Sequence, residues 1–103
     1  MLQPLVLRFG DLVIDLEHYR ISHGAQPLIL SYREYALLVY LASRAGQAVP
    51  KRQLLEEGLG RHDVGGLRMV EEHIRHLNHL LAHNGGAVIE PVGEQGYRFV
   101  TQN

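Results

Sequence analysis

One stretch constrains this chain more than any other. Between Leu67 and His83, Val70, Ile74, Leu77 and Leu81 recur at i, i+4, i+7 and i+11, a spacing that lines them up along one stripe of an α-helix. At about 100° per residue the opposite face carries Arg68, Glu72, Arg75, His76, His79 and His83. Asn84-Gly85-Gly86 stops the helix. Two β-patterned runs, Ala87–Val92 and Gly96–Val100, then follow around Gly93-Glu94-Gln95 and read as a hairpin. A helix with one apolar stripe must bury it against the rest of the fold.

Upstream the chain supplies two layers. Short apolar runs at 5–9 (LVLRF), 12–16 (LVIDL), 19–22 (YRIS) and 26–30 (QPLIL) are separated by Gly10-Asp11 and His23-Gly24-Ala25. Val, Ile, Leu and Tyr bounded by glycine turns predict an antiparallel meander over 4–30, with Pro27 at an edge or a strand start. Ser31 and Glu34 form a capping-box pattern. Tyr35, Leu38, Val39 and Ala42 continue it at helical spacing, and Gly46 is expected to close that helix. A second short helix is expected from Pro50 through KRQLLEE to Gly58-Leu59-Gly60, followed by a loop, RHDVGG, at 61–66. The predicted core is Leu38, Leu41, Leu54, Leu55, Val70, Ile74, Leu77, Leu81 and Val100, joined by Tyr35, Tyr40 and Phe99. The expected fold is therefore α+β, as one domain over 1–103. It has a four-stranded antiparallel sheet at 4–30, three helices at 31–83 and a C-terminal β-hairpin at 87–100. A helix pair followed by a hairpin is a winged helix, an arrangement that offers one helix to the major groove and a hairpin to the adjoining backbone.

Composition removes several classes of function. There is no cysteine among the 103 residues, which rules out disulfides and thiolate zinc sites and fits a cytoplasmic location. No apolar run approaches the roughly 20 residues of a membrane span, and Met1–Gly10 lacks the pattern of a signal peptide. No Gly-rich phosphate loop follows a strand, and Ser22, Ser31 and Ser43 have no nucleophile context, so no enzyme is expected. His76, His79 and His83 stand at i,i+3 and i,i+4 spacings at which imidazoles can share a metal. An exposed row without supporting groups reads instead as a titratable surface, so neither metal nor cofactor is expected.

The pieces LRFGDLVIDLEHYRI, LSYREYALLVYLASRAGQAVPKRQLLE, RMVEEHIRHLNHLL and VIEPVGEQGYRFV, in this order and without gaps, resemble the OmpR/PhoB-type response-regulator DNA-binding domain. The resemblance implies an amino-terminal sheet, a recognition helix at 67–83, a wing at 87–100 and a loop at 60–66 that can touch RNA polymerase. It implies DNA contacts at Lys51, Arg68, Glu72, Arg75, His76, His79 and Tyr97, with double-stranded DNA as the partner. His76, Asn78, His79 and Leu80 stand where the family usually carries Arg or Lys, and Glu90 and Glu94 stand in a wing that is usually basic.

The formal net charge is −1 with histidines neutral. On the implied DNA face Lys51, Arg68 and Arg75 are matched by Glu72, Glu90 and Glu94. Phosphate neutralisation dominates affinity for DNA, so the expected function is a transcription-regulator output domain that binds DNA weakly or conditionally. The alternative is a winged helix kept as a protein-protein interaction module. Histidines on the recognition helix further predict that DNA binding tightens as pH falls through about 7 to 6.

Overall fold

Two-residue turns organise the first layer. The computed structural model describes residues 5–63, 65–84 and 87–101, without the side chains of 83 and 84. Strands β1 (Val6–Phe9), β2 (Leu12–Asp15), β3 (Arg20–His23) and β4 (Gln26–Leu28) pair antiparallel in chain order. Phe9 faces Leu12 and His23 faces Gln26 across the two tight hairpins. The first loop residue of each, Gly10 and Gly24, has φ near +60°, a conformation that costs glycine little. Alternation then sends Leu12, Ile14 and Ile21 into the core.

Helix α1 (Tyr32–Ala42) starts on the predicted capping box. Ser31 Oγ accepts from the Glu34 amide, and Glu34 Oε1 accepts from the Ser31 amide, both at 3.2 Å. The helix buries Leu37, Leu38, Leu41 and Ala42. Its cap is Ser43 rather than Gly46. Gly46 sits beyond it with φ +86° and donates its amide to the Phe99 carbonyl at 2.9 Å, which turns the chain into a strand that sequence patterning missed.

That strand, β5 (Ala48–Pro50), pairs Ala48, Val49 and Pro50 with Arg98, Tyr97 and Gly96. With β6 (Ala87–Val92) and β7 (Gly96–Thr101) it makes a three-stranded sheet in the order β5-β7-β6, so the C-terminal hairpin does not stand alone. Three residues are too few to show a period of two, and Pro50 also caps the following helix. Helix α2 (Lys51–Gln53) opens into a wide π turn at Leu54–Gly58 rather than continuing as a regular helix. The Leu59 amide reaches the Leu54 carbonyl, five residues back, at 3.1 Å.

Helix α3 (Gly66–Asn84) begins one residue earlier than expected. A Cβ at Gly66 would lie 2.5 Å from Leu55 Cδ1, so the small residue allows α3 to start against the buried π turn. Val70, Ile74, Leu77 and Leu81 are all buried, as their spacing predicts, and join Leu38, Leu41, Leu54 and Leu55 in one cluster. Val100 is the exception: it is only half-buried, and Phe99 takes the inward place on β7. Adjacent strand residues face opposite sides, so only one of the two can be core. Tyr35 and Tyr40 pack at the margin of the core, half-buried.

Candidate nucleic-acid interface

Helix α3 shows its polar face beside α2 and the wing. Arg68, Glu72, Arg75 and His79 are exposed on it, and Arg68 has 86% of its side chain open. The expected Arg68–Glu72 pair forms only a loose contact, 3.8 Å apart. The side chain of His83 lies outside the described residues.

Lys51 and Tyr97, distant in sequence, meet at the foot of α3. The Lys51 amide donates to the Gln95 carbonyl in the wing turn at 2.7 Å. Its ammonium lies 5.6 Å from the Tyr97 ring centre and donates to Glu71 Oε2 at 2.6 Å. That bond raises the Lys51 pKa above the usual lysine value and lowers that of Glu71. Burial pushes the Tyr97 hydroxyl up, with Lys51 and Arg75 pulling down and Glu71 pushing up. Lys51, Glu71, Arg75 and Tyr97 therefore sit within each other's fields at the junction of α2, α3 and the wing.

His76 does not stand with these residues. Its Nδ1 lies 2.5 Å from Glu34 Oε2 on α1, and His73 Nδ1 lies 3.3 Å from the same oxygen. Asn78 is also turned inward: its amide oxygen accepts from the Ile89 amide at 2.8 Å, and its nitrogen donates to the Ile89 carbonyl at 2.6 Å. Because β6 is an edge strand, Asn78 completes its backbone pairing and fixes α3 to the wing. On the wing, Glu90 is held by Arg98 across the β6–β7 ladder, with Nε 2.9 Å away. Glu94 is exposed in the turn.

Sequence reasoning missed Glu71, Arg98 and His73, and it missed the long-range contacts of Glu34 and Asn78. Only the Glu90–Arg98 pair left a signal: counting outward from the turn at 93–95 sets those two residues opposite each other. Among the described residues no group of three His, Cys, Asp or Glu side chains could hold a metal ion, and no helix is long and apolar enough to cross a membrane.

An amino-terminal four-stranded sheet, three helices and a closing β-sheet wing define a winged helix-turn-helix domain. Residues 25–99 match the family described as "Transcriptional regulatory protein, C terminal", and the chain belongs to that family. It is 32% identical over 97 residues to the transcriptional regulatory protein SrrA of Staphylococcus aureus, covering 91% of this chain but 40% of that protein. The chain thus spans well under half the length of that relative. Among solved structures, the DNA-binding domain of E. coli CpxR aligns with a TM-score of 0.83 at 26% identity, over 98% of this chain and 100% of that one. The Klebsiella pneumoniae RstA DNA-binding domain, solved in complex with the RstA box, aligns with a TM-score of 0.79 at 30% identity, over 92% and 96%.

Proposed function

We propose that this chain binds double-stranded DNA as the output domain of a transcription regulator, with α3 in the major groove and the wing on the flanking backbone. The single observation that carries this reading is the junction at which Lys51, Arg75 and Tyr97 converge from three elements at the foot of an exposed helix. The RstA domain, crystallised on its own DNA box, has the same backbone arrangement. In this reading Arg68 and Arg75 reach phosphates or base edges, Glu72 and His79 flank them, and Lys51 and Tyr97 hold a phosphate. His76 is withdrawn from the DNA set, because Glu34 already occupies its Nδ1. Residues 1–103 act as one unit, and the segment that leads into α3 is the contact for RNA polymerase.

Binding on this reading is weak or conditional. Lys51 is engaged by Glu71 and Arg68 faces Glu72. A phosphate must compete with these carboxylates before it gains the charge. The same neutral face favours a second reading, a winged helix that docks a protein partner.

A mobility-shift titration with random-sequence duplex separates the two. DNA binding predicts a retarded complex at low salt that weakens at moderate salt. No complex at about 100 µM protein in low salt, a concentration at which ordinary non-specific binders are saturated, would overturn the DNA reading.

A further inference from the structure

We propose that Glu34, His73 and His76 form a proton-operated clamp that sets how firmly α3 is held against α1. The clamp belongs to the free protein and stands whether or not α3 touches DNA.

Glu34 is 6% exposed, the one charged side chain among the described residues to be so buried. Its two oxygens have separate duties. Oε1 closes the capping box on the Ser31 amide, and Oε2 faces both imidazoles. A carboxylate can only accept, so each Nδ1 must bring a proton. A neutral imidazole carries one proton for two nitrogens and must adopt the Nδ1–H tautomer to make this contact. An imidazolium carries protons on both, makes the contact without that restriction and adds a charge-assisted bond. Proton uptake therefore tightens the joint and proton loss slackens it. His76 has half its side chain in solvent, so protons reach the cluster directly.

The surroundings leave this carboxylate to the histidines. Arg33, next on α1, points its guanidinium at Met69 Sδ, 3.1 Å away. Arg61 in the loop before α3 also meets Met69 Sδ and is paired with Asp63. On α3, Glu72 and His79 flank His76 at i−4 and i+3, and Glu72 is opposite Arg68. Burial pushes the Glu34 carboxyl up, but the bonds from His76, the Ser31 amide and His73 together hold it below the usual value. It therefore stays ionised across the range in which histidines titrate. On the other side of α3, Asn78 grips the Ile89 backbone with neutral groups that do not titrate. Protonation thus acts on the α1 side of the helix and leaves its registration on the wing unchanged.

The test is thermal unfolding at pH 5.5 and pH 8.0, at fixed ionic strength and with chelator, in three proteins. These are wild type, Glu34→Gln and His73→Gln/His76→Gln. Gln serves in a capping box as Glu does, so Glu34→Gln removes the charge and spares the helix start. Wild type should gain more in Tm between pH 8.0 and pH 5.5 than either variant, by roughly 3–5 °C, and the two variants should lose the same increment. Equal pH dependence in all three would overturn the clamp. So would loss in the histidine variant alone, which would assign the effect to another partner. Should a variant fail to fold, amide exchange in wild type decides: protection of α3, corrected for intrinsic rates, must rise at pH 5.5, and unchanged protection overturns the proposal.

Discussion

Glu90 and Glu94 look alike in the sequence, two acids in a wing. The fold gives them different duties. Glu90 is opposite Arg98 and bonded to it across the ladder, while Glu94 is exposed in the turn near Lys51. Replacing Glu94 with Arg should lower the dissociation constant for any duplex by about 3- to 10-fold at low salt, because it adds charge without base readout. Replacing Glu90 with Arg should instead set like charges opposite each other and weaken the wing. An anisotropy titration of each variant, with a melting curve alongside, checks both statements. Residue roles of this kind were the least legible part of the sequence. Lys51 and Glu71 lie 20 positions apart and Glu34 and His76 lie 42 apart. No spacing rule reaches across such distances. The helical wheel puts His76 at the edge of the face that carries Arg75 and His79, about 100° round from Arg75, and so groups it with them. What the wheel omits is that α1 lies beside that edge of α3.

Elements were read more faithfully, because their signals are local. The capping box, the four-residue stripe of α3 and the glycine turns each lie within a few residues, and each appears in the fold as predicted. Ile74, in the middle of that stripe, is 2% exposed. Truncation to Ala should cost about 2–5 kcal/mol in denaturant unfolding. A loss below about 0.5 kcal/mol, typical of surface sites, would refute the register of α3. Strand β5 was the failure, since three residues ending in proline carry no alternation. Its presence accounts for Gly96, which lies between β5 and β6. A Cβ there would stand 2.8 Å from the Val49 carbonyl oxygen, and backbone cannot step aside cheaply. Gly96→Ala should therefore destabilise the domain by about 1–3 kcal/mol, and urea titration measures it. Unchanged stability would mean that β5 is not held to the wing.

The whole molecule has a radius of gyration of 13.0 Å, that of a folded domain of about 100 residues, and its charge is almost balanced. Two consequences belong to this scale. The first is acid stability. Burial pushes the Glu34 carboxyl up, but the bonds from His76, the Ser31 amide and His73 hold it below the usual glutamate value in the folded protein. A depressed carboxylate contributes stability that is present above its unfolded pKa and is lost as pH falls through the folded one. Below about pH 4.5 wild type should therefore lose stability faster than Glu34→Gln, and matched acid melts of the two proteins test it. The second is salt dependence, where the proposal of a self-neutralised DNA face is most exposed. The deciding measurement is the dissociation constant for duplex DNA from about 50 to 200 mM salt, in wild type and in Glu71→Gln. Three aligned cations, Lys51, Arg68 and Arg75, limit the wild-type slope of log K against log[salt] to about −3 or shallower. Releasing Lys51 from Glu71 should tighten low-salt binding and steepen the slope by about one. A wild-type slope far steeper than −3, or a Glu71→Gln protein with unchanged affinity and slope, would contradict the account.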